Sequence, residues 1–209
     1  MKVLLINGSP HEHGCTDAAL REVAKTLEGN GIGTETFRVG KKPVAGCIAC
    51  AKCKTAGKCV FGDAVNDILS RVGEYDGLVI GSPVYYASAP GQLIAFLDRL
   101  FYASAGRWAN KPAACVVSCR RAGATATFDE INKYFTISDM PIVSSNYWNN
   151  VHGANNAPED VARDEEGLQT MRHLAVNMAW MLRCIEAGKA AGVPMPAHED
   201  KIITNFIQR

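Results

Sequence analysis

Two hydrophobic periods take turns along the chain. From Lys2 to Asn7, leucine, isoleucine and valine run as in a strand covered on both faces, and the run breaks at Gly8-Ser9-Pro10. Leu20, Val23, Ala24 and Leu27 then fall at helical spacing until Gly29-Asn30-Gly31. Thr34 to Val39 reads as a weaker strand. A cysteine-rich loop extends from about Lys41 to Gly62, after which Val65, Ile68, Leu69 and Val72 restore helical spacing as far as Gly73. Gly77 to Ser82 predicts the third strand. Ser88 and Pro90 predict the next helix entrance, a capping hydroxyl followed by a proline in the first turn, with Leu93, Phe96, Leu97 and Leu100 inward. Ala113 to Ser118 is the fourth strand, Thr127 with Glu130 predicts a capping box for a fourth helix, and Pro141 to Ser145 is the fifth strand. A long final helix is expected from Arg163 to Gly188, with Met171, Leu174, Ala175, Met178, Leu182 and Ile185 on its inner face.

This alternation predicts an α/β fold, a doubly wound five-stranded parallel sheet with helices on both faces. Such sheets bind ligands beyond the carboxyl ends of their strands, near the point where strand order reverses. The loops that reach that edge span residues 8–16, 82–90 and 118–127. With 209 residues and no repeat or low-complexity linker, the expectation is one domain over residues 1–209.

Charge narrows the picture little. Twenty-two basic against 21 acidic residues give a formal net charge of +1, which offers no footprint for nucleic acid and differs from the acidic surface of a dedicated small electron carrier. The apolar run after Lys2 is too short for a signal peptide, and no stretch reaches membrane-spanning length. A cytoplasmic protein without membrane or nucleic-acid partners is expected. His152, His173 and His198 lack partners at ligand or triad spacing, and no carboxylate pair suggests acid–base chemistry.

The first loop, Gly8 to Thr16, offers hydroxyls and free backbone amides at a helix N-terminus, where the helix dipole favours an anion. It is neither a dinucleotide fingerprint nor a Walker loop. The reading is therefore a mononucleotide phosphate held by Ser9, Thr16 and the backbone between them, with an ordinary polar loop as the alternative. His11 is a candidate phosphate donor and His13 a solvated neighbour.

Together, Gly8-Ser9-Pro10 through Thr16, Gly81-Ser82-Pro83-Val84-Tyr85-Tyr86, Arg120-Arg121-Ala122-Gly123 and Tyr147-Trp148-Asn149 resemble the NAD(P)H-dependent FMN reductase group of the flavodoxin-like superfamily. The resemblance covers nearly the whole chain. It implies that Ser9, His11, Gly14, Cys15 and Thr16 surround the FMN phosphate, and that Pro83, Val84, Tyr85 and Tyr86 run along the isoalloxazine ring. Ser118, Arg120 and Gly123 would face its pyrimidine or ribityl side. Arg120 or Arg121 would supply positive charge near the flavin. It also implies dimers or larger oligomers whose partner subunit helps cover the flavin. Two positions depart from the family pattern: His11 stands where Arg or Lys is common, and Cys15 where Asn is common. Phosphate binding should then lean on the backbone.

Four of the eight cysteines crowd into Cys47-x2-Cys50-x2-Cys53-x5-Cys59. In a reducing compartment such crowding points to metal or redox chemistry. The spacing resembles the compact motif of the iron–sulfur flavoproteins, a branch of the same superfamily, which implies a 4Fe–4S cluster. Zinc and free thiols are the other occupancies. Cys115, Cys119 and Cys184 read as small core residues, with Cys119 at the flavin-side end of its strand.

The function expected is an FMN-dependent oxidoreductase that takes a hydride from NAD(P)H and passes electrons to a flavin, quinone or redox protein. The rivals are an electron carrier with FMN and a cluster, and a redox sensor. No catalytic side chain is required, because the cofactor supplies the chemistry.

Overall fold

The computed structural model describes residues 1–200, 202–204 and 206. The elements in chain order are β1 (Lys2–Asn7), α1 (Cys15–Gly29), β2 (Gly33–Arg38), α2 (Cys53–Ala56), α3 (Ala64–Leu69), a 3-10 turn at Val72–Glu74, β3 (Gly77–Pro83), α4 (Gly91–Ser104), β4 (Ala113–Cys119), α5 (Ala124–Thr136), β5 (Asn150–His152), α6 (Pro158–Arg163) and α7 (Glu165–Ala190). All strand pairs are parallel and the sheet order is β2-β1-β3-β4-β5, the flavodoxin-like order, which reverses between β1 and β3.

Period-two alternation sorts the central strands between two cores. Leu4 and Ile6 of β1, Leu78 and Ile80 of β3, and Ala113 and Cys115 of β4 pack with α3, α4 and α5. Val3 and Leu5, Val79, and Ala114 and Val116 pack instead with α1 and α7. Both faces of each strand are apolar, which is why the sequence reads there as an unbroken hydrophobic run.

Three expectations need correction. The fifth strand is not Pro141 to Ser145. That segment makes one bridge, with Ala113 donating to the Pro141 carbonyl and Val143 donating to the Ala113 carbonyl, and then leaves the sheet. Pro141 has no N–H for a ladder. The Ser145 hydroxyl donates to the Asn149 side chain and the Tyr147 carbonyl, folding the chain into a loop that returns as β5 beside Val117–Cys119. The second correction concerns helix caps. Pro90 itself occupies the N-cap of α4, and the Ser88 hydroxyl donates to the Glu130 carboxylate. Thr127 lies buried inside α5, whose N-cap is Gly123 at φ +84°. Ser88 and Glu130, expected in two separate caps, thus meet each other across elements. Third, Cys184 is exposed on α7, while Cys115 and Cys119 are buried.

Candidate functional site

Three loops converge where the strand order reverses, and Ser118 at the end of β4 ties them together. Its hydroxyl meets that of Thr16 at 2.8 Å, joining the start of α1 to β4. Its carbonyl accepts from the Val84 amide at 2.9 Å, joining the β3–α4 loop to the same point. Val84 also packs against Gly123, where a Cβ would stand 2.7 Å from the valine Cγ1.

In the first loop Ser9 is buried. Its amide donates to Asn7 Oδ1 at 2.9 Å and its hydroxyl accepts from the His11 amide at 3.1 Å. Asn7 Nδ2 is buried and has no hydrogen-bond partner among the described residues. A Cβ at Gly8 would come within 2.4 Å of the Leu93 side chain, so any larger residue there would have to push that leucine aside. Gly14 is the N-cap of α1 and no side chain caps that helix. Its first-turn amides are orphans of the kind that bind anions.

Cys15 and Thr16 contribute to this cradle through the backbone. The Thr16 hydroxyl is engaged by Ser118, and the buried Cys15 thiol points to the Ala157 carbonyl at 3.4 Å. Burial, assisted by the Asp160 carboxylate, pushes that thiol up, so it stays protonated at neutral pH. His11 is half-buried and His13 is exposed beside Asp17.

In the second loop Pro83 ends β3 opposite Ser118, and Tyr85 and Ser88 exchange backbone hydrogen bonds in both directions. Tyr86 at the tip is fully exposed and holds φ +51°, a conformation that costs a bulky residue and persists only under local constraint. Tyr85 is also exposed. In the third loop Arg120 and Arg121 are exposed beyond the buried Ser118. The combination is an uncapped helix N-terminus, two exposed tyrosines and two exposed arginines on loops that meet at Ser118.

The cysteine loop forms a separate site. Cys47, Cys50, Cys53 and Cys59 line one pocket together with Ile48, Phe61, Arg99 and Tyr102. Ala49 and Ala51, on either side of Cys50, have φ of +51° and +55°, so the chain winds tightly between the first three thiols. Among the described residues no three His, Cys, Asp or Glu side chains converge as they must around one metal ion. A cubane takes one thiolate at each of four iron corners and sets its ligands further apart. Four soft thiol donors in one largely apolar pocket suit that group in number and chemistry.

Sequence reasoning missed what fastens this loop. Gln92 in the first turn of α4 donates to the Gly40 carbonyl at 2.6 Å. The Asn66 side chain binds the Cys59 amide and the Cys59 and Phe61 carbonyls. Arg99, buried on α4, reaches Ala45, Cys59 and Asp63. Arg99 lies seven residues beyond Gln92, about 10 Å further along the helix. The cysteines therefore run down the flank of α4 and do not stay at the sheet edge with the phosphate loop. The available signal was a charged residue three positions after Phe96 and four before Ala103, on an otherwise apolar helix face. A second signal was local charge: Lys41, Lys42, Lys52, Lys54 and Lys58 are all exposed, with no carboxylate before Asp63.

The family described as NADPH-dependent FMN reductase matches residues 1–155. An iron–sulfur flavoprotein of Methanocaldococcus jannaschii is 34% identical over 193 residues, spanning 89% of this chain and 100% of its own. The solved structure of RosB with bound 8-demethyl-8-formylriboflavin-5'-phosphate matches with a TM-score of 0.69 at 17% identity, covering 100% of this chain and 94% of that one. A flavodoxin from the domain Archaea matches with a TM-score of 0.59 at 13% identity, over 88% and 99% of the two chains. The structural likenesses establish the flavodoxin-like fold.

Proposed function

This chain belongs to the NADPH-dependent FMN reductase family and is a flavin-dependent oxidoreductase, and from that premise we propose that it takes a hydride from NADPH or NADH onto FMN and releases the electrons to a flavin, quinone or redox-protein acceptor. The observation that carries this reading is the knot at Ser118, which holds an uncapped helix N-terminus and the tyrosine loop together beside the exposed Arg120 and Arg121. Bound FMN supplies the hydride-accepting and electron-releasing chemistry. The chain supplies position and charge. The backbone amides from Glu12 to Thr16, left over once those of Ser9 and His11 are engaged within the loop, would hold the phosphate, Tyr85 and Tyr86 would offer flat apolar contact to the ring, and Arg120 and Arg121 would bring positive charge to its edge. No side chain is asked to move a proton.

The cysteine loop supports a 4Fe–4S cluster on Cys47, Cys50, Cys53 and Cys59, as the name of the M. jannaschii relative suggests. A second reading, an electron carrier with FMN and a cluster, draws support from the lysine-rich collar around those thiols. Anaerobic stopped-flow separates the two. Bleaching of the flavin by NADPH or NADH within seconds supports the reductase, and an unreactive flavin leaves the carrier.

Mass analysis of the released cofactor should give FMN, because the cradle has amides for one phosphate; FAD would overturn that assignment. No helix among the described residues is long and apolar enough to cross a membrane, and a cytoplasmic site of action is part of the proposal.

A further inference from the structure

Among the described residues, Arg99 touches both ends of the cysteine loop and one of its thiols. It is buried on α4 with 2% of its surface exposed. Its two terminal nitrogens donate to both oxygens of Asp63, at 2.7 and 2.8 Å, and one of them also reaches the Ala45 carbonyl at 3.1 Å. The remaining donor, Nε–H, points at Cys59 Sγ at 3.3 Å. The guanidinium lies over the Phe61 ring, 4.7 Å from its centroid. Asp63, so engaged, accepts from the Val65 amide and starts α3. One cation thus closes the segment from Ala45 to Asp63 and turns a fourth of its five N–H donors to sulfur.

A loop anchor alone would need only the Asp63 and Ala45 contacts. A donor turned to Cys59, in the pocket that the other three thiols line, does something an anchor does not require. A hydrogen bond and a buried positive charge beside a ligand sulfur favour the more negative, reduced state of whatever redox group that sulfur holds. Lysine cannot reproduce this geometry, because it lacks the planar fork that binds a carboxylate and a third partner at once.

We propose that Arg99 is the positioning residue of the cysteine site: it fixes Cys59 as the fourth ligand and, through Nε–H, raises the reduction potential of the group held there. This rests on the reading that the loop carries a cluster. The test compares full-length wild type, Arg99→Lys and Arg99→Met, purified anaerobically, by iron, acid-labile sulfide and FMN per chain, and by mediated redox titration of the cluster signal. FMN content should be equal in all three, since the contacts of Arg99 are to Ala45, Cys59, Phe61 and Asp63 and to none of the loops that meet at Ser118. The cluster's midpoint potential should fall in Arg99→Lys, which keeps the charge but loses the directed donor, and fall further in Arg99→Met. If Arg99→Met does not fold, the Lys variant decides alone. Equal potentials across the proteins that fold overturn the role of Arg99 while leaving the cluster reading intact. A wild-type protein that binds FMN and contains no iron overturns both.

Discussion

Thr16 and Ser118 are 102 positions apart in sequence and meet hydroxyl to hydroxyl at 2.8 Å. Both were legible in the sequence as polar residues in the right loops. Their partnership was not, because periodicity and local motifs carry no information about which side chain from another strand lies opposite. Thr16→Val should leave the Ser118 hydroxyl buried without its partner and cost about 1–3 kcal/mol of unfolding free energy. An unchanged denaturation midpoint would show that the hydroxyl pair does not secure the loops. Gly123 tests the same junction from the other side. Its φ of +84° is the left-handed region, worth about 1–2 kcal/mol against any L side chain, and a Cβ there would also press on Val84. Gly123→Ala should therefore lower both stability and flavin affinity, read by thermal melting and by fluorescence titration with FMN. A variant with wild-type values in both would remove Gly123 from the junction.

At the scale of elements, β1, β3, β4 and α1 fall close to where hydrophobic periodicity puts them, since each is buried deeply enough for its pattern to be unambiguous. The fifth strand was misplaced because Pro141-Ile142-Val143 carries the apolar signature of an edge strand, while the true β5 is a short stretch whose only buried residue is Val151. Pairing there is decided by the loop from Ser145 to Asn149, a tertiary matter. The opposite edge, β2, reads weakly because its anchor is ionic. Glu35 accepts from Arg71 and Lys2, and those hydrogen bonds, Arg71 first, hold its carboxyl down at about 2. A carboxylate with a depressed folded value stabilises the fold fully above its ordinary value of 4.5, and that contribution fades as pH falls toward 2. Asp63, lowered by Arg99, acts in the same direction. Glu35→Gln should thus flatten part of the stability profile between about pH 4.5 and 2, measured by urea unfolding at a series of pH values. A profile as steep as that of the wild type would exclude Glu35 as a source of acid sensitivity.

Seen as a whole molecule, a formal charge of +1 conceals an uneven surface. Five lysines gather on the cysteine loop, so carboxylates must outnumber cations elsewhere. Net charge alone hid this polarity. Tyr102, Tyr147 and Trp148 are each at least half exposed, more large aromatic surface than single scattered residues need explain. A homodimer or homotetramer that covers them is the expectation, and sedimentation at micromolar concentration should find it; a monomer with FMN fully bound would exclude it.

The way the cysteine loop is fastened has a consequence in time. Gln92, Asn66 and Arg99 grip it by side chains, whereas the groove at Ser118 is mounted on the ends of strands buried between two cores. Releasing the loop breaks none of the sheet's ladder bonds, so the two sites should run on separate clocks. Backbone amides from Cys47 to Lys58 should exchange with deuterium long before those of Leu78 to Ile80, which wait for the whole sheet to open. The cysteine loop should therefore loosen and close again while the junction at Ser118 stays folded.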